Sequence, residues 1–124
     1  MFTPRNTFSG FSVADIPAAR IFYADILGLT VDENSMGFLN LSLPNGGTVL
    51  IYGKQNHTPA SYTVLNFEVD DVEAAVDDLT ARGVVFERYD AMRQDAKGIM
   101  RGHGPDIAWF TDPSGNVFSV LSAE

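Results

Sequence analysis

The chain has 124 residues, 45% of them hydrophobic, which is enough for one compact domain with its own core. Its net charge of −8 argues against a nucleic-acid partner, because phosphate backbones attract basic surfaces. No cysteine is present to form a disulfide or a thiolate nucleophile, and no apolar run approaches the roughly 20 residues that span a bilayer. Because the N-terminal residues lack the apolar segment of a secretory signal, we expect a cytoplasmic protein without a membrane partner.

The first half of the chain predicts one helix and four strands. Residues 7–13 have the β-branched and aromatic content of a strand, and Asp15 can cap the helix that follows. Gly28 is placed to end that helix, since glycine readily takes the left-handed conformation. Three further strands are predicted over residues 29–32, 37–43 and 48–52, with a glycine-rich turn at 44–47.

The second half repeats this order. Residues 69–75 read like residues 13–19, and such a repeat indicates a fold built twice from one unit. A strand over 62–69 leads to a helix capped by Asp71 and ended by Gly83. The connection 90–106 is long, and long loops are usually mobile, functional or both. Within it, three glycines and a proline over Gly98–Pro105 predict little regular structure and an adjustable rim for the cavity. The remaining predicted strands are 84–89, 107–111 and 116–121.

Acidic residues are concentrated in the second half of the chain. Residues 1–58 carry four acids and three bases, whereas residues 59–124 carry twelve acids and five bases. One interpretation is a solvated acidic helix. The other is an electrostatic field that attracts a cationic ligand. The acids that cluster near the second helix are Glu68, Asp70, Asp71, Glu73, Asp77 and Asp78.

Four motifs follow one another in a recognisable order. They are Val13-Ala14-Asp15 with Phe22-Tyr23, Leu27-Gly28-Leu29, Phe67-Glu68-Val69-Asp70-Asp71-Val72 and Trp109-Phe110-Thr111-Asp112-Pro113-Ser114-Gly115-Asn116. Together they resemble the vicinal oxygen chelate superfamily, which includes glyoxalase I, extradiol dioxygenases and bleomycin-resistance proteins. The resemblance covers essentially the whole chain.

The resemblance implies an α+β fold in which two βαβββ modules each form a cupped mixed or antiparallel sheet with the helix outside. The modules would span about residues 5–53 and 62–123 of a single domain, residues 1–124. It also implies a homodimer and a small-molecule cavity between two modules. Whether the modules pair within one chain or between two chains stays open.

Metalloenzymes of this superfamily carry His or Glu ligands at four strand positions. Neither Phe nor Val has a donor atom, and a Ser or Tyr hydroxyl alone is a poor ligand for a divalent metal. The resemblance therefore implies that the usual metal centre, and any cofactor, is absent here. The four positions carry over to Phe8, to one of Leu50, Ile51 and Tyr52, to Val64, and to Ser119.

Other catalytic groups have little support in the sequence. His57 and His103 fall in predicted loops, where no strand geometry directs either towards a shared metal. Serines are common, but none lies in a Gly-x-Ser-x-Gly elbow, so no nucleophile–base pair is predicted.

Strand alternation predicts which side chains line the cavity, because residues i and i+2 share a face. These side chains could instead fill a core, but a buried amide such as Asn40 or Asn66 needs partners that an apolar core lacks. Trp109 offers a broad face for stacking or for a cation. The predicted ligand-binding residues are Phe8, Phe38, Asn40, Tyr52, Val64, Asn66, Trp109 and Ser119, with Gly10, Ser12, Ser42, Thr111 and Val117 on the same faces.

Composition and resemblance together favour a metal-independent protein that sequesters an apolar or aromatic, antibiotic-like small molecule, with a cationic group accommodated by the acidic charge. The alternative is an enzyme of the same superfamily, of the lyase, isomerase or dioxygenase type, with a non-standard or metal-free site. A regulatory or carrier dimer is a third class. No catalytic residue is predicted, and metal content separates the first class from a metalloenzyme.

Overall fold

The computed structural model describes residues 1–123 and consists of two compact units, Met1–His57 and a second that begins at Thr58. Each unit contains one small mixed sheet and one helical segment. The α+β class predicted from the sequence is therefore confirmed. In the described part of the chain, no helix has the length and apolarity needed to cross a membrane.

The first unit contains a four-stranded sheet in the order β1-β4-β3-β2. Its strands are β1 (Ser9–Val13), β2 (Thr30–Glu33), β3 (Leu39–Ser42) and β4 (Thr48–Gly53), with β1 parallel to β4 and the other pairs antiparallel. Alternation along β3 follows the prediction, since Leu39 and Leu41 are fully buried and Asn40 is half-buried. One face of this sheet is therefore core, and the opposite face is accessible.

The helical segment of the first unit begins where the sequence predicts. The Asp15 carboxylate accepts a hydrogen bond from the Ala18 backbone N–H at 3.0 Å, which caps α1 (Ile16–Arg20). The segment continues as a π-helix over Ile21–Ile26, in which the Leu27 N–H donates to the Phe22 carbonyl at 2.9 Å. The Tyr23 ring is buried against Phe11 of β1, with their centroids 6.0 Å apart.

The second unit contains a three-stranded sheet in the order β5-β7-β6. Its strands are β5 (Thr63–Glu68), β6 (Ile107–Thr111) and β7 (Val117–Leu121), with β5 parallel and β6 antiparallel to β7. Helix α2 (Val72–Ala81) is capped by Asp71 and packs on β6 and β7. The core includes Phe110 and Phe118, whose ring centroids lie 5.8 Å apart.

The strand predicted over residues 84–89 is reduced to a single bridge between Phe86 and Phe110. Glu87 still donates its backbone N–H to the Trp109 carbonyl at 2.7 Å. The Tyr89 N–H bonds instead to the Gln94 side-chain oxygen at 2.8 Å, so the ladder to β6 does not continue. A side chain thus replaces the strand partner that periodicity predicted.

The connection 90–106 has more structure than its composition predicts. Met100 forms bridges to both Gln94 and Ile107, and Ile99 is buried. The Asp95 carboxylate accepts the backbone N–H groups of Lys97 and Ile99 at 2.8 and 2.9 Å. Carboxylate and amide side chains supply the hydrogen bonds that hold residues 94–100, and sequence periodicity does not reveal them.

Arg101 links the segment 90–106 to α2 through ion pairs. Its guanidinium lies 3.0 Å from the Glu73 carboxylate, 3.2 Å from Asp95 and 3.5 Å from Asp106. Hydrogen bonding and charge from Lys97, and then from Arg101, lower the pKa of Glu73. Burial alone would raise the pKa of Asp95, but hydrogen bonds from the Ile99 and Lys97 backbone and from Arg101 outweigh it, so that pKa is also lowered.

We expect Arg101→Gln to speed amide hydrogen exchange at Ile99 and Met100 with little change in global stability, because exposed ion pairs stabilise little. Both carboxyl pKa values are lowered by folding, so their contribution is present above the ordinary carboxyl range and is lost as pH falls through the folded values. Acidification should therefore lower the protection factors of these two amides, measured against the intrinsic exchange rate at each pH. The control is Arg82→Gln, which removes an exposed ion pair with Asp78 at the end of α2. If that variant speeds exchange at Ile99 and Met100 as much as Arg101→Gln does, the role assigned to Arg101 is contradicted.

Candidate functional site

Each sheet carries aromatic and polar side chains on the face opposite its core. In the first unit, Phe38 and Tyr52 meet with ring centroids 6.3 Å apart. Asn40 lies one row away, directly across from Leu50. An ideal Cβ at Gly10 would be 3.3 Å from the Leu50 carbonyl oxygen, a tight approach, and 3.8 Å from the Tyr52 ring, an ordinary contact, so Gly10 lies beside Leu50 and Tyr52 on this face. The predicted residues Phe38, Asn40 and Tyr52 therefore share this face.

The same face holds a contact that the sequence did not predict. Ser12 lies directly across from Tyr52, and its Oγ is 2.6 Å from Nδ1 of His57. After β4, the Lys54 N–H donates to the Val13 carbonyl and the His57 N–H to the Lys54 carbonyl, which turns the chain back towards β1. His57 lies in a loop, as predicted, and this turn, not a strand, brings its ring to Ser12.

In the second unit, three predicted residues form a row across the sheet. Ser119 of β7 is directly across from Asn66 on one side and from Trp109 on the other. The buried Ser119 hydroxyl donates to Oδ1 of Asn66 at 2.6 Å. With its oxygen engaged, the amide of Asn66 presents Nδ2, which can only donate.

Trp109 is fixed by a bond that crosses the sheet. Its indole N–H donates to Oγ1 of Thr63 at 3.2 Å. Because β7 lies between β6 and β5, this bond requires the indole to extend across β7. The Tyr89 ring meets the indole at 5.5 Å with an interplanar angle of 74°. Burial, and then the charge of Glu87, raise the pKa of Tyr89, so its phenol remains a protonated donor.

Thr63 was not among the predicted site residues. The ladder between β5 and β7 is irregular between Thr63 and Leu65, so Thr63 pairs with Val117 and Leu65 with Phe118. Val64 is the extra residue at this irregularity, and the simple alternation that placed it beside Asn66 does not hold across it. The sequence signal that could have indicated such a partner was Trp109 itself, because the N–H of a tryptophan side chain withdrawn from water usually has a hydrogen-bond acceptor.

Phe8 lies outside these clusters. It precedes β1, and 58% of its surface is exposed. Phe8 and Val64 remain predicted ligand contacts.

The residues at the four metal-ligand positions do not fit a divalent ion. Phe8 and Val64 have no donor atom, and Ser119 already directs its hydroxyl proton at Asn66. The second position offers Leu50, Ile51 or Tyr52, and a phenol alone is a poor ligand. Within residues 1–123, no group of three or more His, Asp or Glu side chains has the geometry to hold a metal.

A groove of about 420 Å³ lies between α2 and the segment 84–97, away from the predicted residues. It is lined by Val76, Val84 and Phe86 and bordered by Lys97. The Lys97 ammonium is paired with Asp77 at 2.9 Å and with Glu73 at 3.0 Å. These two carboxylates therefore offset the Lys97 charge locally.

Two successive α+β units, each with aromatic and polar side chains on one sheet face, are typical of small proteins built from repeated βαβββ modules. The chain belongs to the Glyoxalase/Bleomycin resistance protein/Dioxygenase superfamily, whose sequence model matches residues 8–120. No curated protein matches the chain.

Solved structures share this fold along nearly their whole length. A superfamily member from Sphaerobacter thermophilus is 25% identical, with a TM-score of 0.71 and coverage of 97% of this chain and 98% of that one. TnmS3, an antibiotic binding protein from a Streptomyces species, is 21% identical, with a TM-score of 0.72 and coverage of 100% and 99%. The oxidase ChaP-H2 is 22% identical, with a TM-score of 0.66 and coverage of 99% and 96%.

Proposed function

We propose that this protein binds and sequesters a small molecule, without a metal ion, on the sheet face that carries Trp109. The observation that supports this most directly is the indole held across β7 by Thr63, beside an Asn66 amide oriented by Ser119. Ligand sites typically combine apolar and aromatic surface with a few fixed polar groups. This face has that composition, and its polar groups are already oriented before a ligand arrives.

The orientation of these groups suggests the chemistry of the ligand. The Asn66 amide presents N–H donors, the Tyr89 phenol stays protonated, and the indole N–H is already used by Thr63. The complementary ligand is a planar aromatic molecule that carries a hydrogen-bond acceptor such as a carbonyl oxygen. A cationic group is also accommodated, because residues 59–124 hold twelve acids against five bases.

The solved relatives include both a binding protein and an enzyme, so the shared fold alone does not choose between them. TnmS3 is described as an antibiotic binding protein and ChaP-H2 as an oxidase. The side chains at the metal-ligand positions favour binding, since Phe8 and Val64 supply no donor atom and Ser119 is bonded to Asn66. A lyase, isomerase or dioxygenase of the family type would need ligands at those positions.

Fluorescence of the single tryptophan tests the proposal directly. Aromatic carbonyl compounds, with and without a cationic group, are titrated while Trp109 emission is recorded. We expect at least one compound to change the emission saturably, and Thr63→Val to weaken its binding by freeing the indole. A compound that binds by calorimetry while Trp109 emission stays constant would place the site elsewhere. The absence of binding across the set would overturn the ligand class.

We expect purified, tag-free protein to contain no stoichiometric transition metal, because the four ligand positions lack suitable donors. Elemental analysis measures this directly, and chelator treatment should leave ligand binding unchanged. About one Zn, Ni, Fe or Mn per chain would contradict the prediction. The reconstitution control is incubation of the protein with each metal ion followed by desalting, after which we expect no bound metal.

We also propose that the protein is a homodimer. Both sheets are open, with β1 and β2 at the edges of the first and β5 at an edge of the second, and such edges favour further pairing. Phe8, Ile21 and Tyr62 are exposed large side chains that self-association would cover. Sedimentation at micromolar concentration should give twice the chain mass of 13.5 kDa. A species of single-chain mass throughout that range would refute the dimer.

A further inference from the structure

The Ser12–His57 pair lies in the first unit and has no role in the proposed function. Both side chains are half-buried on or beside the face opposite the core, and Oγ lies 2.6 Å from Nδ1. We propose that Ser12 is a nucleophile and His57 its general base, and that the pair takes an acyl group from an activated ester. The pair lies in the first unit and Trp109 in the second, and neither proposal depends on the other.

The distance satisfies the first requirement of such a pair. A general base must lie within about 2.6–3.2 Å of the atom whose proton it removes. When Nε2 carries the ring proton of neutral His57, Nδ1 has a lone pair that accepts the Ser12 hydroxyl proton. Ser12 is fixed by the pairing of β1 with β4, and the His57 backbone is fixed by its bond to the Lys54 carbonyl at 3.1 Å. Both partners are therefore positioned by backbone hydrogen bonds.

The surroundings provide a surface for the acyl or aryl part of an ester. Tyr52 lies directly across from Ser12, and its ring meets Phe38. Gly10, two residues before Ser12 on the same face of β1, has no side chain to cover the strand there. An ester placed against the two aromatic rings brings its carbonyl carbon next to the Ser12 hydroxyl, and an aryl ester fits this surface best.

The reaction uses only the ester and water. The Ser12 Oγ attacks the carbonyl carbon while its proton moves to Nδ1 of His57. The bond to the leaving alcohol then breaks, and the alcohol takes that proton, which leaves acyl-Ser12 and neutral His57. Water, deprotonated by His57, attacks the acyl carbon, and Ser12 leaves with the returned proton. The net change is ester plus water to carboxylic acid plus alcohol.

Two probes test the proposal on the whole chain. p-Nitrophenyl acetate reports acylation through release of p-nitrophenol, and a fluorophosphonate leaves a stable adduct that peptide mass mapping locates. We expect the fluorophosphonate adduct on Ser12 and continued release of p-nitrophenol as the acetyl group is hydrolysed. Ser12→Ala should abolish the adduct at position 12. General-base assistance contributes typically about 10²–10⁴-fold, so His57→Gln should slow acylation of Ser12 at least about a hundredfold. His57→Gln retains a hydrogen-bond acceptor for Ser12, which protects the local fold.

The matched control is Ser9→Ala, which removes an exposed hydroxyl from the other face of the same strand and should leave acylation of Ser12 at the wild-type rate. Adducts on lysines, on His57 or on other serines, with Ser12 unmodified, would overturn the proposal. Wild-type reactivity of Ser12→Ala would do the same. If Ser12 of the His57→Gln variant is labelled at the wild-type rate, His57 is not the general base. Adduct mapping on the wild-type protein decides the nucleophile even where a variant folds poorly.

Discussion

Replacing Trp109 by alanine is expected to weaken binding of an aromatic or cationic ligand by up to about thirtyfold. The indole is held across β7 by its bond to Thr63, so its stacking surface is formed before the ligand binds. Stacking of a cation on an indole contributes about 0.5–2 kcal/mol, and the upper value corresponds to roughly thirtyfold in dissociation constant. Isothermal titration of the wild-type and variant proteins with the same compound measures the difference.

Three controls separate stacking from other effects of this substitution. Trp109→Phe retains an aromatic face but loses the bond to Thr63, so its affinity should lie between those of wild type and alanine. Asn66→Leu removes the amide donor and should discriminate against ligands that carry a carbonyl acceptor. Binding of a cationic ligand should weaken with added salt, whereas that of a neutral one should not. Normal binding by both Trp109→Phe and Asn66→Leu would show that the site lies elsewhere.

Replacing Asp112 by alanine is expected to lower the free energy of unfolding by about 2–4 kcal/mol. Only 4% of Asp112 is exposed, and it organises the turn between β6 and β7. Its Oδ1 accepts the backbone N–H groups of Ser114 and Asn116 at 2.9 Å, and its Oδ2 accepts the Asn116 amide at 3.0 Å. Alanine leaves these donors without their acceptor in a largely buried turn, which is the costly form of a lost hydrogen bond.

Urea denaturation measures this effect against two other aspartates. Asp71→Ala removes the cap of α2 and should cost about 1 kcal/mol. Asp70→Ala changes an exposed acid and should stay within about 0.5 kcal/mol of wild type. The expected order of destabilisation is therefore Asp112, Asp71, Asp70. A loss for Asp112→Ala no larger than that for Asp71→Ala would contradict the role assigned to the turn.

Features set by local sequence signals were predictable. Asp15 and Asp71 both accept the capping bonds expected of them. Gly28 and Gly83 follow the two helices with positive φ angles of 73° and 99°, a conformation that glycine adopts without a Cβ clash. Alternation also identified Leu39 as core and its neighbour Asn40 as a residue of the opposite face. Each of these depends on a few consecutive residues and on backbone geometry.

Features that depend on contacts between distant side chains were not predictable. The bond from Gln94 to Tyr89 ends the strand expected over 84–89, and no periodicity encodes it. The irregularity in β5 places the Thr63 hydroxyl where it accepts the indole N–H of Trp109. Strict alternation of side chains along β5 does not predict this position. His57 reaches Ser12, 45 positions earlier, through a turn whose course only the folded chain defines. The contacts that orient the candidate sites were therefore the part that sequence reasoning missed.

The alternation along β3 has a consequence for how such a protein changes over generations. Leu39 and Leu41 are fully buried, so most substitutions there cost stability and are eliminated by selection. Asn40 lies between them in the chain but points to the other side of the sheet, where a new side chain alters surface chemistry without opening the core. Neighbouring residues of β3 are therefore under different constraints: the buried ones are held by stability, and the residue between them is not. A lineage can change the chemistry of this sheet face one strand position at a time while the core beneath stays constant.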